Sequence, residues 1–181
     1  MISIPTRGLV LAALALLLIA ASVRRPSWED TDNDGRNTRQ QILEWTCQVA
    51  LGPRGGILEA RCLDGYSGEL IETKRVSEDI EIDHLYPWSV AAQRGAFADR
   101  KLAREAFYGD LDNLVVTSSK ANAKKSDKMP GEWCPPSVLG RKSAAARIRR
   151  VVDRHGLPLL PAESAAVEAW EAGECGIPGQ P

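Results

Sequence analysis

Asp83 and His84 are adjacent in Ile82-Asp83-His84-Leu85-Tyr86-Pro87, and Asn122 lies in Ala121-Asn122-Ala123-Lys124-Lys125-Ser126-Asp127. Between them stands Asp112-Asn113-Leu114. These residue types suit hydrolysis of a phosphodiester. Water must lose a proton as it attacks phosphorus, and imidazole is the side chain that accepts one near neutral pH. Charge builds on the phosphoryl and leaving oxygens, where a divalent cation stabilises it. A hard cation such as Mg²⁺ takes oxygen ligands and keeps several waters. Asp83 offers an anionic oxygen and Asn122 a neutral carbonyl oxygen. Neighbours in an extended strand point to opposite faces. Asp83 and His84 can therefore serve one site only at a bend, and Pro87 agrees with a departure from regular strand.

The flanking pattern supplies elements to hold such a site. Ile80-Glu81-Ile82 alternates apolar and polar and reads as a strand ending at Asp83-His84. Leu114-Val115-Val116-Thr117 is a β-branched strand, and Ser118 or Ser119 caps a short helix starting near Lys120. Upstream, Asn37 or Thr38 caps a helix through Gln40, Ile42, Leu43 and Trp45. Cys47–Leu51 and Gly56–Cys62 read as a hairpin around Gly52-Pro53-Arg54-Gly55-Gly56. Asp64-Gly65 turns the chain into a further short strand at Leu70–Thr73. Val90–Phe107 has helical periodicity, with Ala91, Phe97, Leu102 and Phe107 near one face. After Pro135-Pro136 two helices are expected, near Lys142–Arg154 and Glu163–Glu171, with Gly156 closing the first. The fold class is therefore α+β.

The chain has 181 residues and a formal net charge of -1, so it is no cationic glove for nucleic acid. Phosphate contacts must come from local clusters. Lys120, Lys124, Lys125 and Lys128 surround Asn122, with Lys124 and Lys125 the first candidates for substrate contact. A second basic set is Arg141, Lys142, Arg147, Arg149, Arg150 and Arg154, which reads equally as a solvated helix face. His155 suits the end of that helix as a dipole partner. With two histidines and no HExxH, a zinc protease is disfavoured.

Residues 1–25 contain Arg7 and an apolar run from Gly8 to Val23. They read as a secretory signal, or as an uncleaved anchor that would be the chain's one link to a membrane. Both put residues 26–181 outside the cytoplasm as one domain. The four cysteines are even in number and form no CxxC pair, so disulfides are expected. Cys47–Cys62 would bridge the hairpin, and Cys134–Cys175 would tie the C-terminal tail to the body. Asp30-x-Asp32-x-Asp34-Gly35 begins like an EF-hand calcium loop. Its last position is Gln41 rather than the bidentate Glu, so a polar turn before a helix cap is the preferred reading.

The order and spacing of Asp83-His84, Asn113 and Asn122 resemble the HNH, or ββα-metal, nuclease family. The similarity covers roughly a quarter of the chain, Ile82 to Pro130, within a motif core of 80–130. A looser likeness to small secreted members runs through Asp34-Gly35-Arg36-Asn37-Thr38-Arg39 and Glu132-Trp133-Cys134-Pro135-Pro136. The resemblance implies a ββα-metal core between an N-terminal hairpin region and C-terminal helices. It implies His84 as general base, and Asp83 and Asn122 as ligands of one divalent metal. Mg²⁺ is the first choice, and Mn²⁺ or another divalent ion the next. Asn113 would hydrogen-bond the loop that orients His84. The family's final His is Asn122 here, an alternative the family uses. The expected function is a secreted, monomeric endonuclease acting on DNA in preference to RNA, with weak sequence preference. The rival is a non-catalytic extracellular protein that binds calcium or nucleic acid on the same scaffold.

Overall fold

A computed structural model of the protein describes residues 25–30, 33–97 and 100–176. The expected leader up to residue 24, and Thr31 and Asp32 of the acidic run, lie outside the described residues. The fold is α+β. Helix α1 (Thr38–Thr46) starts at a capping box, in which the Asn37 carboxamide accepts from Gln40 N and the Gln40 side chain accepts from Asn37 N. It runs into β1 (Cys47–Leu51), β2 (Ile57–Leu63) and β3 (Leu70–Thr73), a three-stranded antiparallel sheet in that order. Cys47 pairs with Cys62 in the β1–β2 register, their Cα atoms 4.5 Å apart and their sulfurs bonded.

One turn of helix, α2 (Val76–Asp79), leads into β4 (Ile80–His84). β4 pairs antiparallel with β5 (Leu114–Ser118), Ile80 opposite Ser118 and His84 opposite Leu114. β5 passes directly into α5 (Ser119–Lys125), with the Ser118 hydroxyl accepting from Ala121 N at 3.2 Å. Strand, strand and helix are thus consecutive around one small sheet, apart from the segment between β4 and β5.

That segment differs from the single helix expected over Val90–Phe107. It forms α3 (Trp88–Gln93) and α4 (Lys101–Tyr108). Gly95, at φ 74°, takes a left-handed conformation that ends α3, and the chain turns there. The break lets Trp88 stack on Phe97, centroids 4.4 Å apart, with Phe107 edge-on to Phe97 at 5.2 Å. Beyond it, α6 (Val138–His155) and α7 (Pro161–Ala172) pack as a pair. Both start earlier than expected, because Ser137 caps α6 and Pro161 opens α7. The second disulfide joins Cys134 to Cys175.

Two apolar clusters lie on either side of the β4–β5 pair. Ile80, Ile82, Leu114 and Val116 pack with Ile42 and Leu43 of α1 and with Ala60 and Cys62 of β2. Val115 packs with Tyr66, Phe107 and the α6–α7 core of Ile148, Val151, Val167 and Trp170. β5 is buried on both faces by this alternation. β4 buries Ile80 and Ile82 and turns Glu81 and Asp83 to the other face. Arg39 of α1 anchors the start of β4 by donating to the Ile80 carbonyl at 2.9 Å.

Candidate active site

β4 ends at His84, and the chain bends over Leu85-Tyr86 before Pro87. Asn113 holds that bend. Its Oδ1 accepts from Tyr86 N at 2.8 Å, its Nδ2 donates to Tyr86 O at 3.2 Å, and its own carbonyl accepts from Leu85 N at 2.9 Å. Asn113 is fully buried, so each contact replaces one that water cannot make. A backbone bend is thereby clamped next to the imidazole.

Past the bend, Asp83, His84 and Asn122 all line one cleft of about 350 Å³, with Arg25, Trp28, Glu81 and Asp127 among its other walls. Asp83 comes from β4 and Asn122 from α5. The Asn122 carboxamide makes no hydrogen bond to any described residue, so its oxygen is available to a ligand. Among the described residues no three His, Cys, Asp or Glu side chains converge as a metal-binding group. Asp83 and Asn122 together offer one carboxylate and one amide oxygen, with the Glu81 and Asp127 carboxylates also on the cleft wall, a donor set that suits a weakly held hard cation whose remaining ligands are water and substrate.

His84 is buried among Trp28, Phe107 and Tyr108, its ring centroid 4.8 Å from that of Tyr108 and nearly parallel to Trp28 and Phe107. Its Nε2 lies 3.0 Å from the Tyr108 carbonyl oxygen. A carbonyl only accepts, so Nε2 carries the proton and Nδ1 keeps its lone pair. Burial pushes the imidazole pKa down to about 4. The hydrogen bond to Tyr108 opposes this, and the charges of Arg25 and Lys125 add to it. His84 is therefore a neutral base at physiological pH.

The Asp83 carboxylate is held from behind. Tyr66 Oη donates to Oδ2 at 2.5 Å, and Lys125 Nζ lies 3.0 Å from the same oxygen. Tyr66 is completely buried, and that burial together with the Asp83 charge raises its phenol pKa well above the usual value, so it stays a donor. Lys125 was expected to contact substrate. Instead it is buried, because its ammonium lies against Asp83 and donates to the His84 carbonyl at 2.8 Å. Lys124 is exposed on α5 and does not line the cleft.

Tyr66 and Trp28 carried no signal of their own in the sequence. Tyr66 is positioned by Asp64, which was readable only as part of a turn. The Asp64 Oδ1 accepts from Tyr66 N and Ser67 N, and its Oδ2 accepts from the Thr117 hydroxyl and Ser118 N. Burial disfavours the Asp64 charge, but these hydrogen bonds outweigh it and hold the carboxyl below the usual range. One carboxylate thus ties the Tyr66 turn to the start of α5. Gly140 completes the seat. A Cβ there would meet the Tyr66 carbonyl oxygen at 2.2 Å, so only glycine lets α6 pass so close.

The arginines of the basic set on α6 are spent on structure, while Lys142 is exposed. Arg147 donates to the backbone carbonyls of Leu111 and Asp112, at 2.7 and 3.1 Å. Arg150 and Arg154 pair with Asp112, and Arg154 and His155 with Asp110. Arg141 donates to the carbonyls of Gly173 and Pro135, and Arg149 pairs with Glu171. The contacts of Arg147, Arg150, Arg154 and His155 fasten the loop before β5, which carries Asn113. In the acidic N-terminal run, the Asp30 carboxylate accepts from Asp34 N and Gly35 N, at 3.1 and 2.9 Å, forming a turn ahead of α1. A larger groove of about 950 Å³ lies over Trp45, Leu63, Leu111 and Arg147, away from Asp83 and Asn122.

No protein-family model matches the chain, and no solved structure matches it. An uncharacterized secreted protein of Arthroderma benhamiae is 35% identical over 66 residues, which cover 35% of this chain and 32% of that relative. The chain thus matches about a third of that relative's length. Among the described residues, no helix is long and apolar enough to cross a membrane.

Proposed function

We propose that this protein is a metal-dependent nuclease of the HNH type, hydrolysing nucleic-acid phosphodiesters with His84 as general base. The observation that carries the reading is the meeting of Asp83, His84 and Asn122 at one cleft, with the Nε2 of His84 committed to the Tyr108 carbonyl. The succession of β4, β5 and α5 supplies the two strands and the helix that the ββα-metal arrangement needs.

A divalent cation, Mg²⁺ first, would be held by Asp83 Oδ1 and Asn122 Oδ1, and when bound it neutralises charge on the phosphoryl and leaving oxygens. The protein's own groups do the rest. His84 Nδ1 takes a proton from the attacking water, whose oxygen bonds to phosphorus as the bond to the 3′-oxygen breaks. The leaving oxygen takes its proton from solvent, which gives the 3′-hydroxyl and 5′-phosphate ends that the family resemblance implies. The Tyr108 hydrogen bond stabilises the imidazolium formed at His84. Asn113 keeps the Leu85-Tyr86 bend in place so that the imidazole does not swing.

The same proposal puts the protein outside the cytoplasm. The apolar run of residues 8–23, the two disulfides and the similarity to a protein described as secreted support it. DNA is the proposed substrate; Arg25 on the cleft wall and the exposed Lys120, Lys124 and Lys128 on and after α5 are the cationic groups proposed to meet its phosphates. The test is incubation of the purified protein with plasmid and single-stranded DNA in Mg²⁺, in Mn²⁺ and in chelator. Cleavage that requires the cation and disappears in His84→Ala supports the proposal. Intact DNA under every condition overturns it.

A further inference from the structure

We propose that Lys125 is a positioning residue that sets how tightly the site holds its cation, by acting as a resident counter-charge to Asp83. The inference rests on the metal-site reading above and names a control on it. Lys125 has three N–H donors. They reach Asp83 Oδ2 at 3.0 Å, the His84 carbonyl at 2.8 Å and the Ser126 carbonyl at 3.4 Å. Each acceptor comes from the site itself or from the end of the helix that bears Asn122. The ammonium is thus turned inward, donating to two carbonyls and paired with Asp83, and the side chain is only 2% exposed.

The consequence for Asp83 is an asymmetric carboxylate. Oδ2 receives both Tyr66 Oη and Lys125 Nζ. Oδ1 accepts no hydrogen bond from a described residue. A cation can therefore reach one oxygen only, and it approaches a carboxylate already neutralised by a fixed ammonium a few ångströms away. Like charges at such range repel strongly even at the effective dielectric constant of about 20 that suits protein sites. The protein thus folds with Asp83 compensated before any metal arrives, which avoids an unpaired carboxylate in a part-buried position. In exchange it binds the metal weakly until a substrate phosphate adds negative charge. Metal and nucleic acid then enter the site with positive linkage.

The Ser126 backbone supports the assignment of a fixed ammonium. Ser126 sits at φ 51° and ψ -139°, a region that residues other than glycine rarely adopt. It ends α5 there and brings its carbonyl to Lys125.

The experiment compares wild type with Lys125→Met and Tyr66→Phe. Calorimetric titration and thermal melting are run with Mn²⁺ alone, without DNA. Removal of the ammonium is expected to tighten Mn²⁺ binding at least about tenfold. Tyr66→Phe, which removes one hydrogen bond from Oδ2 and leaves Lys125 beside it without changing charge, is expected to tighten it less. A merely structural lysine would leave affinity unchanged or weaken it, and either result in folded Lys125→Met overturns the proposal. If Lys125→Met does not fold without metal, Mn²⁺ must restore its thermal transition, and failure to do so also overturns it. Tighter binding in a protein that never cleaves DNA leaves this inference standing and removes the nuclease reading. Metal-dependent cleavage by wild type with unchanged affinity in folded Lys125→Met does the reverse. Absence of binding in both proteins overturns this inference, and the cleavage assay above then decides the nuclease reading.

Discussion

The Nε2 of His84 and the carbonyl oxygen of Tyr108 lie 3.0 Å apart, and this contact leaves Nδ1 as the nitrogen with a lone pair for chemistry. The His84→Ala variant is accordingly expected to lose about 10²–10⁴-fold in cleavage rate, the range for removal of a general base. Its Mn²⁺ affinity should match wild type, since His84 is not a proposed ligand. Initial rates on plasmid DNA, with circular dichroism to verify the fold, check this. Near-normal cleavage by a folded variant would remove His84 from the mechanism.

Burial of His84 also predicts a pH dependence of stability. Its folded pKa, about 4, lies below the ordinary 6.5. Between these values the unfolded chain binds a proton that the folded protein does not, so stability rises with pH there. The contribution is fully present above pH 6.5 and is lost as pH falls toward 4, amounting to about 3 kcal/mol over the whole window. Denaturant unfolding in chelator at several pH values should show this slope, and His84→Asn should flatten it. Parallel curves for the two proteins would show that His84 is solvated and titrates normally.

Asp83→Ala and Asn122→Ala should each raise the metal concentration needed for half-maximal cleavage. Each removes one of the two oxygen donors proposed from the protein. Asn122→His should keep part of the activity and shift preference toward Mn²⁺ or Ni²⁺, because imidazole is a softer ligand than an amide oxygen. Rate against metal concentration for each variant is the measurement. Unchanged curves in both alanine variants would locate the cation elsewhere.

Gly140 offers a test remote from the cleft. In Gly140→Ala the new methyl would meet the Tyr66 carbonyl at 2.2 Å, so either α6 or the Tyr66 turn must shift. A destabilisation of about 1–3 kcal/mol is expected, the usual range for overpacking. Because Tyr66 holds Asp83, the metal curve should move as well. A variant with wild-type stability and wild-type metal response would show that the close approach is not needed.

Local pattern accounts for much of the site. The adjacency of Asp83 and His84 at a strand end, the cap at Ser118, and the place of Asn122 on the following helix are set within short stretches of chain. So are the β1–β2 hairpin and its Cys47–Cys62 bridge, because a turn of glycine and proline brings the two sulfurs together whatever lies beyond it. Where periodicity misled, the cause was local too. The helical spacing of Val90–Phe107 continued across Gly95, whose left-handed backbone stops the helix.

The sequence by itself determined the residue types of the candidate site, their order along the chain and the elements carrying them, because capping, alternation and turn chemistry act over a few residues. Only the tertiary structure decided which of those groups face the cleft and what stands behind them. Tyr66 reaches Asp83 across 17 positions, and Lys125 reaches back across 41 to the His84 carbonyl. Lys124 and Lys125 are indistinguishable as neighbours in a lysine-rich stretch, yet one is exposed and the other buried. Their difference arises from helix geometry. Successive residues of α5 point about 100° apart, so only one of the pair can turn toward β4, and there it finds a carboxylate to neutralise.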